Sequence, residues 1–184
     1  MFDPIYKRGC RKVQGARVFV YSVSIPDFKG LPVISEFYRD VSSLVSQRCE
    51  GEFADRAAEE YISLRSEDPR SIFRPTVYSL VAEVTYFDGE TMFVKLTATL
   101  SLRHKGLEKR VIDAHAWSLD DQMLLPPRQA ARRLIPTGRL PLMMGDTGFI
   151  AENGKYFLCR GGELFPIAEG HRKKHKNPKR KKEQ

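Results

Sequence analysis

One tryptophan, four histidines and three cysteines are spread over 184 residues, and each scarcity removes a class of protein. Cys10, Cys49 and Cys159 are odd in number, far apart and in no CxxC pair. That excludes a disulfide framework and a cysteine-rich zinc site, and points to a reducing compartment. His104 and His115 are the only histidines before residue 171, and no HExxH accompanies them, so neither a metal nor a cofactor is expected. No apolar run reaches the roughly 18 residues of a membrane span. The start, MFDPIYKRGCRKVQGARVFV, has Pro, Gly and scattered charge where an export signal needs a continuous apolar stretch, so a soluble, cytoplasmic protein is expected. The segment Gly148 to Lys155 has five residues between its glycines where a phosphate-binding loop has four, and Tyr156 where that loop has its Mg²⁺-binding hydroxyl.

What the chain has in excess is positive charge, and its position matters. Residues 171–184 hold eight of the 31 Lys and Arg against one of the 23 acids, which leaves 23 basic and 22 acidic residues in the rest. The sequence pI of about 9.5 therefore describes a tail more than a fold. Arg172, Lys173, Lys174, Lys176, Lys179, Arg180, Lys181 and Lys182 form an expected disordered polybasic tail, too polar to build a core. Without interleaved aromatics it would bind nucleic acid or anionic lipid only in a salt-dependent, sequence-blind way, or serve simply as a solubilising end.

Residues 1–15 read as a basic N-terminal arm, loose at its start, and 16–170 as a single α+β domain. The run from Ala16 to Ile25 is dense in Val, Phe, Tyr and Ile and reads as a strand. Ile34, Phe37, Tyr38, Val41, Leu44 and Val45 recur at helical spacing, as do Phe53, Ala57, Tyr61 and Leu64, with Gly51 either dividing two helices or weakening one. Runs at 77–87 and 91–103 flank Asp88-Gly89, a hairpin signal, and 110–119 continues an antiparallel meander. In 92–103 the apolar residues alternate, so one sheet face reads as apolar and the other as mostly wet. Pro127 opens a short helix to Ile135, and 136–148 reads as a loop in which Met143 and Met144 cover the core. Asn153-Gly154 marks a closing hairpin, followed by a strand over 163–168. The expected architecture is an N-terminal strand and helices packed on one antiparallel sheet, with a short helix, hairpin and strand after it.

Asp113, His115 and Trp117 alternate along one strand and so share a face. A carboxylate beside an imidazole can tune a general base, but catalysis needs a nucleophile or polarising group from elsewhere, and the sequence nominates none. The three residues read as a partner-facing sheet surface and are the ligand-contact candidates. Arg128, Arg132 and Arg133, with Arg139 nearby, are candidate anion contacts, or else the solvated face of an amphipathic helix. His104, beside a Lys-Gly turn, reads as solvent-exposed.

Leu100-Ser101-Leu102, Trp117-Ser-Leu-Asp120 followed by Met123-Leu-Leu-Pro, and Gly162-Glu-Leu-Phe-Pro-Ile-Ala-Glu-Gly170 carry a resemblance. Over residues 30–170 the chain resembles the RsiV-like domain of unknown function, found in bacterial lysozyme-sensing anti-sigma factors and beside the catalytic domain of certain peptidoglycan deacetylases. It departs from that family in lacking a Gly-Gly-Ala-His segment before the aspartate turn, and in having Asp121-Gln122 where the family has a Gly-Lys turn. The resemblance implies an α+β sheet fold and a binding module, with no catalytic residue to carry over. The expected function is a non-enzymatic binding or sensing module with a protein or glycan partner; the alternative is an RNA-associated or ribosome-associated protein using its tail.

Overall fold

In the computed structural model, which describes residues 2–135 and 145–167, the first surprise is the arm. Residues Pro4–Val13 form strand β1, paired antiparallel with β2 (Ala16–Pro26) across the two-residue turn Gln14-Gly15. Both turn residues have positive φ, 50° and 82°, as a tight hairpin turn of the primed type requires. Gln is an unusual occupant of that conformation, so the hairpin hid behind the charge of Lys7, Arg8, Arg11 and Lys12, and the expectation of a loose arm is corrected for these residues.

Helix α1 (Pro32–Arg48) begins with Pro at its first position, where no amide partner is needed. The side-chain oxygen of Gln122 accepts the Val33 N–H at 3.0 Å, satisfying one of the orphan donors of the helix start. A π-helical turn, Cys49–Phe53, joins α1 to α2 (Ala54–Glu67), so Gly51 neither breaks the helix nor merely weakens it. The wider π turn resets the helical phase. Ile34 and Tyr38 before it, and Ala57 and Tyr61 after it, consequently reach one core, while Leu44 is left exposed.

The two helices carry the chain back to β3 (Thr76–Phe87), which pairs parallel with β2, Phe19 to Ser24 aligning with Thr76 to Val81. A parallel neighbour needs such a crossover. Strands β4 (Thr91–Leu102) and β5 (Leu107–Ser118) complete the expected meander, and a two-residue strand β6 (Met123–Leu124) pairs with Trp117 and Ser118. Asp88 closes the first meander turn by accepting the amides of Glu90 and Thr91 at 3.0 and 2.7 Å. Helix α3 (Pro127–Leu134) follows, then β7 (Asp146–Glu152), β8 (Lys155–Arg160) and β9 (Glu163–Pro166). The fold is α+β, but with two sheets where one antiparallel sheet was expected: a mixed six-stranded sheet in chain order β1 to β6, and a three-stranded antiparallel one. Among the described residues no helix is long and apolar enough to cross a membrane.

The six-stranded sheet is covered on both faces. Met92, Val94, Leu96 and Trp117 join the core under α1 and α2, whereas Phe93, Ala114 and Ala116 pack against Ala130, Ala131, Phe149 and Leu158. The face of β4 read as wet is therefore wet only past Lys95; from Thr91 to Leu96 every residue is buried. Lys95, on that covered face, is held between Glu83 of β3 at 3.4 Å and Glu152 of β7, which ties the small sheet to the large one. Contact there is close enough that a Cβ on Gly148 would be driven into the backbone of Ala114. Gly148→Ala is expected to cost about 1–3 kcal/mol as an overpacked core substitution. Chemical denaturation measures it, and a loss within experimental error would mean the two sheets are less tightly packed.

Candidate functional site

Alternation along β5 does place Asp113, His115 and Trp117 on one face, and that face lies under α1. Trp117 is 2% exposed and the side chain of His115 16%, leaving Asp113, at 55%, as the well-exposed member. The expectation of an open contact surface is corrected here. The helix covers the strand because Phe37 and Tyr38, one turn into α1, are the aromatic partners of the β5 triplet. Phe37 meets His115 and Trp117 edge-on, with centroids 5.4 and 5.2 Å apart.

Tyr38 also completes a chain of hydrogen bonds. The indole Nε1–H of Trp117 donates to the Tyr38 hydroxyl at 3.1 Å, and that hydroxyl lies 3.0 Å from His115 Nδ1. His115 Nε2 lies 3.2 Å from Asp113 Oδ2, while Asp113 Oδ1 accepts the Ala114 N–H at 2.8 Å. A neutral imidazole protonated at Nε2 satisfies every member: Trp117 donates to Tyr38, Tyr38 to His115, and His115 to Asp113. This tautomer is assigned from the network. The hydrogen bond from His115, its charge when protonated and the Ala114 amide hold the Asp113 carboxyl below the usual carboxylate range, against partial burial. Burial drives the Tyr38 hydroxyl far above the ordinary phenol range, only partly offset by the Trp117 hydrogen bond.

These properties make the cluster a structural clasp. Both imidazole nitrogens are occupied, and the one hydroxyl in reach is buried and neutral. A general base must come within hydrogen-bond reach of a substrate proton, and here both nitrogens face side chains of the cluster itself. The other candidates disperse. Arg133 turns inward, its guanidinium donating to Thr91 Oγ1 at 3.0 Å and Ser118 Oγ at 3.2 Å, so it fastens α3 to β4 and β5. Arg128, Arg132 and Arg133 are all exposed along the helix, and of the three Arg133 is the one whose guanidinium reaches back to the sheet. His104, expected in solvent, is largely covered, its side chain 10% exposed and its ring stacked on Phe73 with centroids 5.0 Å apart. Its Nε2 is 3.1 Å from Glu60, within ion-pair distance but out of hydrogen-bond alignment. Cys49 is buried, its thiol pushed up to about 12 by burial, and all three cysteines are free thiols. Among the described residues no three His, Cys, Asp or Glu side chains gather to hold a metal. Arg139, Met143 and Met144 and the tail candidates, Arg172, Lys173, Lys174, Lys176, Lys179, Arg180, Lys181 and Lys182, lie outside the described residues.

Sequence reasoning missed the seam between β1 and α1. Depressions of about 680, 50, 550 and 260 Å³ follow one another there, the first lined by the connection from β2 to α1 and by α1 itself, the other three by residues of β1 as well. The first two share Ser35 and Arg39, the next two meet at Lys7, and the last two at Tyr21 and Glu50. Tyr21 reaches over Gly9, where a side chain would collide with its ring, and donates to Glu50 Oε1 at 2.5 Å. Burial and the Glu50 carboxylate push its hydroxyl up to about 12. The only signal in the sequence was Gly9 itself, a glycine at a strand position where another backbone or ring must come close.

No family model matches the sequence, and no curated protein does. Among solved structures the chain is similar to a member of the DUF3298 family from Bacteroides fragilis. That match has a TM-score of 0.51 and 8% identity, and covers 86% of this chain and 82% of the other. A DUF3298 family protein from Pseudomonas aeruginosa aligns with a TM-score of 0.49 and 10% identity over 86% of this chain and 81% of that one. At such identity the Bacteroides likeness speaks to the fold, which is that of a domain of unknown function.

The Tyr38 clasp generates a measurable expectation. Tyr38→Phe strands the buried Trp117 N–H and removes the donor to His115, so a loss of about 1–3 kcal/mol is expected. The sole tryptophan, Trp117, reports it through its fluorescence during denaturation, and a change below about 0.5 kcal/mol would show the clasp to be idle.

Proposed function

We propose that this chain is a non-enzymatic binding or sensing module of RsiV-like fold, working in a reducing, cytoplasmic setting. The observation that carries the reading is the contrast between its two polar features. In the Asp113–His115–Tyr38–Trp117 chain every donor already has an internal acceptor. The seam between β1 and α1, by contrast, is open and lined by charged and hydroxyl side chains, among them Lys7, Arg8, Arg39, Ser42 and Ser43. Groups consumed by one another position a fold; an open concavity beside an unpaired strand edge is suited to holding a partner. Residues 30–170 add the resemblance noted above, and the three free thiols favour the reducing compartment. In the test, the full chain is offered generic ester, phosphoester and peptide substrates beside its His115→Gln variant. No turnover by either is expected; turnover abolished by His115→Gln would overturn the reading.

A second reading rests on one specific observation, the net charge of +7 in residues 171–184. Such a segment attracts polyanions through counterion release, with affinity for single strands falling by about 0.7 log units per log unit of salt for each phosphate contacted. An RNA-associated or ribosome-associated role would follow. Single-stranded RNA of mixed sequence is expected to bind the full chain steeply salt-dependently, and not the chain truncated after Gly170. Equal binding after truncation would rule this role out.

A further inference from the structure

We propose that the seam between the outer edge of β1 and helix α1 takes an extended, acidic peptide segment, which adds to the six-stranded sheet as a strand beside β1. The proposal rests on the binding reading and names the surface and the partner chemistry for it. Strand β1 is an edge: among the described residues it pairs with β2 alone, so the backbone groups on its other side are left for a further strand. From Ile5 to Arg11 its pairing with Ile25 to Phe19 is regular, and the one irregularity lies beyond, at Arg11/Lys12. Seven regular residues make an edge long enough to template an ordinary strand.

Charge selects the occupant. Strand β1 carries Lys7, Arg8, Arg11 and Lys12 and no acid, and Arg39 faces it from α1 across the depression that Ile5 and Lys7 also line. Of the acids nearby, Glu50 accepts from Tyr21, Asp55 lies 3.7 Å from Arg11 and Asp27 lies 3.5 Å from Lys29, while Glu36 lines the first depression beside Arg39. Among the described residues Arg8 and Arg39 are in no ion pair, and Arg8 rests only on the ring of Tyr6 at 5.7 Å. A second copy fits poorly, because antiparallel self-pairing about Gly9 sets Lys7 against Arg11, and like charges across strands repel. The chain's own segment 171–184, with eight cations, is repelled for the same reason.

Basic residues also protect an edge strand from aggregation, and protection alone would account for the charge. It would not account for the groove. Ser35, Ser42, Ser43 and Ser46 line the α1 side of the seam, and their small side chains leave the depressions open where longer residues would fill them. Strand addition gains affinity from main-chain hydrogen bonds and specificity from such neighbouring side chains.

The experiment uses the full chain and a fluorescein-labelled decapeptide alternating Glu and Thr, followed by fluorescence anisotropy at about 0.15 M salt, where exposed charges more than about 8 Å apart are screened. Saturable binding is expected, with none for the Lys/Thr counterpart, and a loss of at least tenfold in Arg8→Glu/Arg39→Glu whose Trp117 fluorescence is native. Two further peptides carry N-methyl groups on all Glu or on all Thr amides. One of the two must lose at least tenfold on the unaltered protein, since strand addition uses one peptide edge. Equal binding by both N-methylated peptides, indifference to Arg8→Glu/Arg39→Glu, or a decamer of single-stranded RNA taking the seam in the peptide's place would each overturn the proposal. Failure of the Glu/Thr peptide, with another ligand held saturably by the same chain, overturns it too and leaves the binding reading standing.

Discussion

The rest of the structure depends on the burial of β4 and β5 on both faces where they lie side by side. Thr91 to Leu96 and Ala114 to Ser118 have no side in water, apart from the partly covered His115. Two separate sets of elements must therefore be supplied: α1 and α2 on one side, α3 with the small sheet on the other. Each covering layer brings its own polar fastening. Lys95 lies between Glu83 and Glu152, Arg133 reaches the buried hydroxyls of Thr91 and Ser118, and Tyr38 closes on Trp117 and His115. Polar groups at such positions would be costly if unpaired, so each fastening also fixes the orientation of the layer it serves.

The same burial accounts for the geometry of the most chemical-looking residues. An aspartate, a histidine and a tyrosine in line resemble a relay, but a relay needs one end open to a reacting atom. Here the tyrosine end is sealed by Trp117 and Phe37, and the open end is a carboxylate that accepts and cannot donate. Asp113 and His115 serve to seat α1 on β5. The open depressions lie instead at the opposite edge of the sheet, between β1 and α1. The charge beside that seam lies on β1 and α1, apart from the larger charge of residues 171–184.

Much of the fold was legible. The meander over residues 77–119, the helix opened by Pro127, the hairpin about Asn153-Gly154 and the helical spacing from Ile34 to Tyr61 are local patterns, set by alternation, turn residues and helix periodicity, and they stand where the spacing predicts them. Residues 4–13 were not legible as a strand, because their charge resembles that of an unfolded arm and Gln14 is an uncommon turn residue. The second sheet was legible as strands but not as a separate layer. A hairpin carries no mark of which larger sheet it joins or packs against, although Phe93 among the hydroxyls of β4 hinted that something covers it.

For the site the division is sharper. By itself the sequence determined that Asp113, His115 and Trp117 share a face, that Arg128, Arg132 and Arg133 share a short helix, and that net charge concentrates in the last fourteen residues, since periodicity and composition are local properties. Only the tertiary structure decided that α1 lies over the β5 triplet, that Arg133 and not Arg128 or Arg132 bonds Thr91 and Ser118, and that a groove opens beside β1. Those outcomes depend on contacts between residues from fifteen to almost eighty positions apart. Alternation tells which side chains share a face, but what covers that face is settled by packing between distant segments.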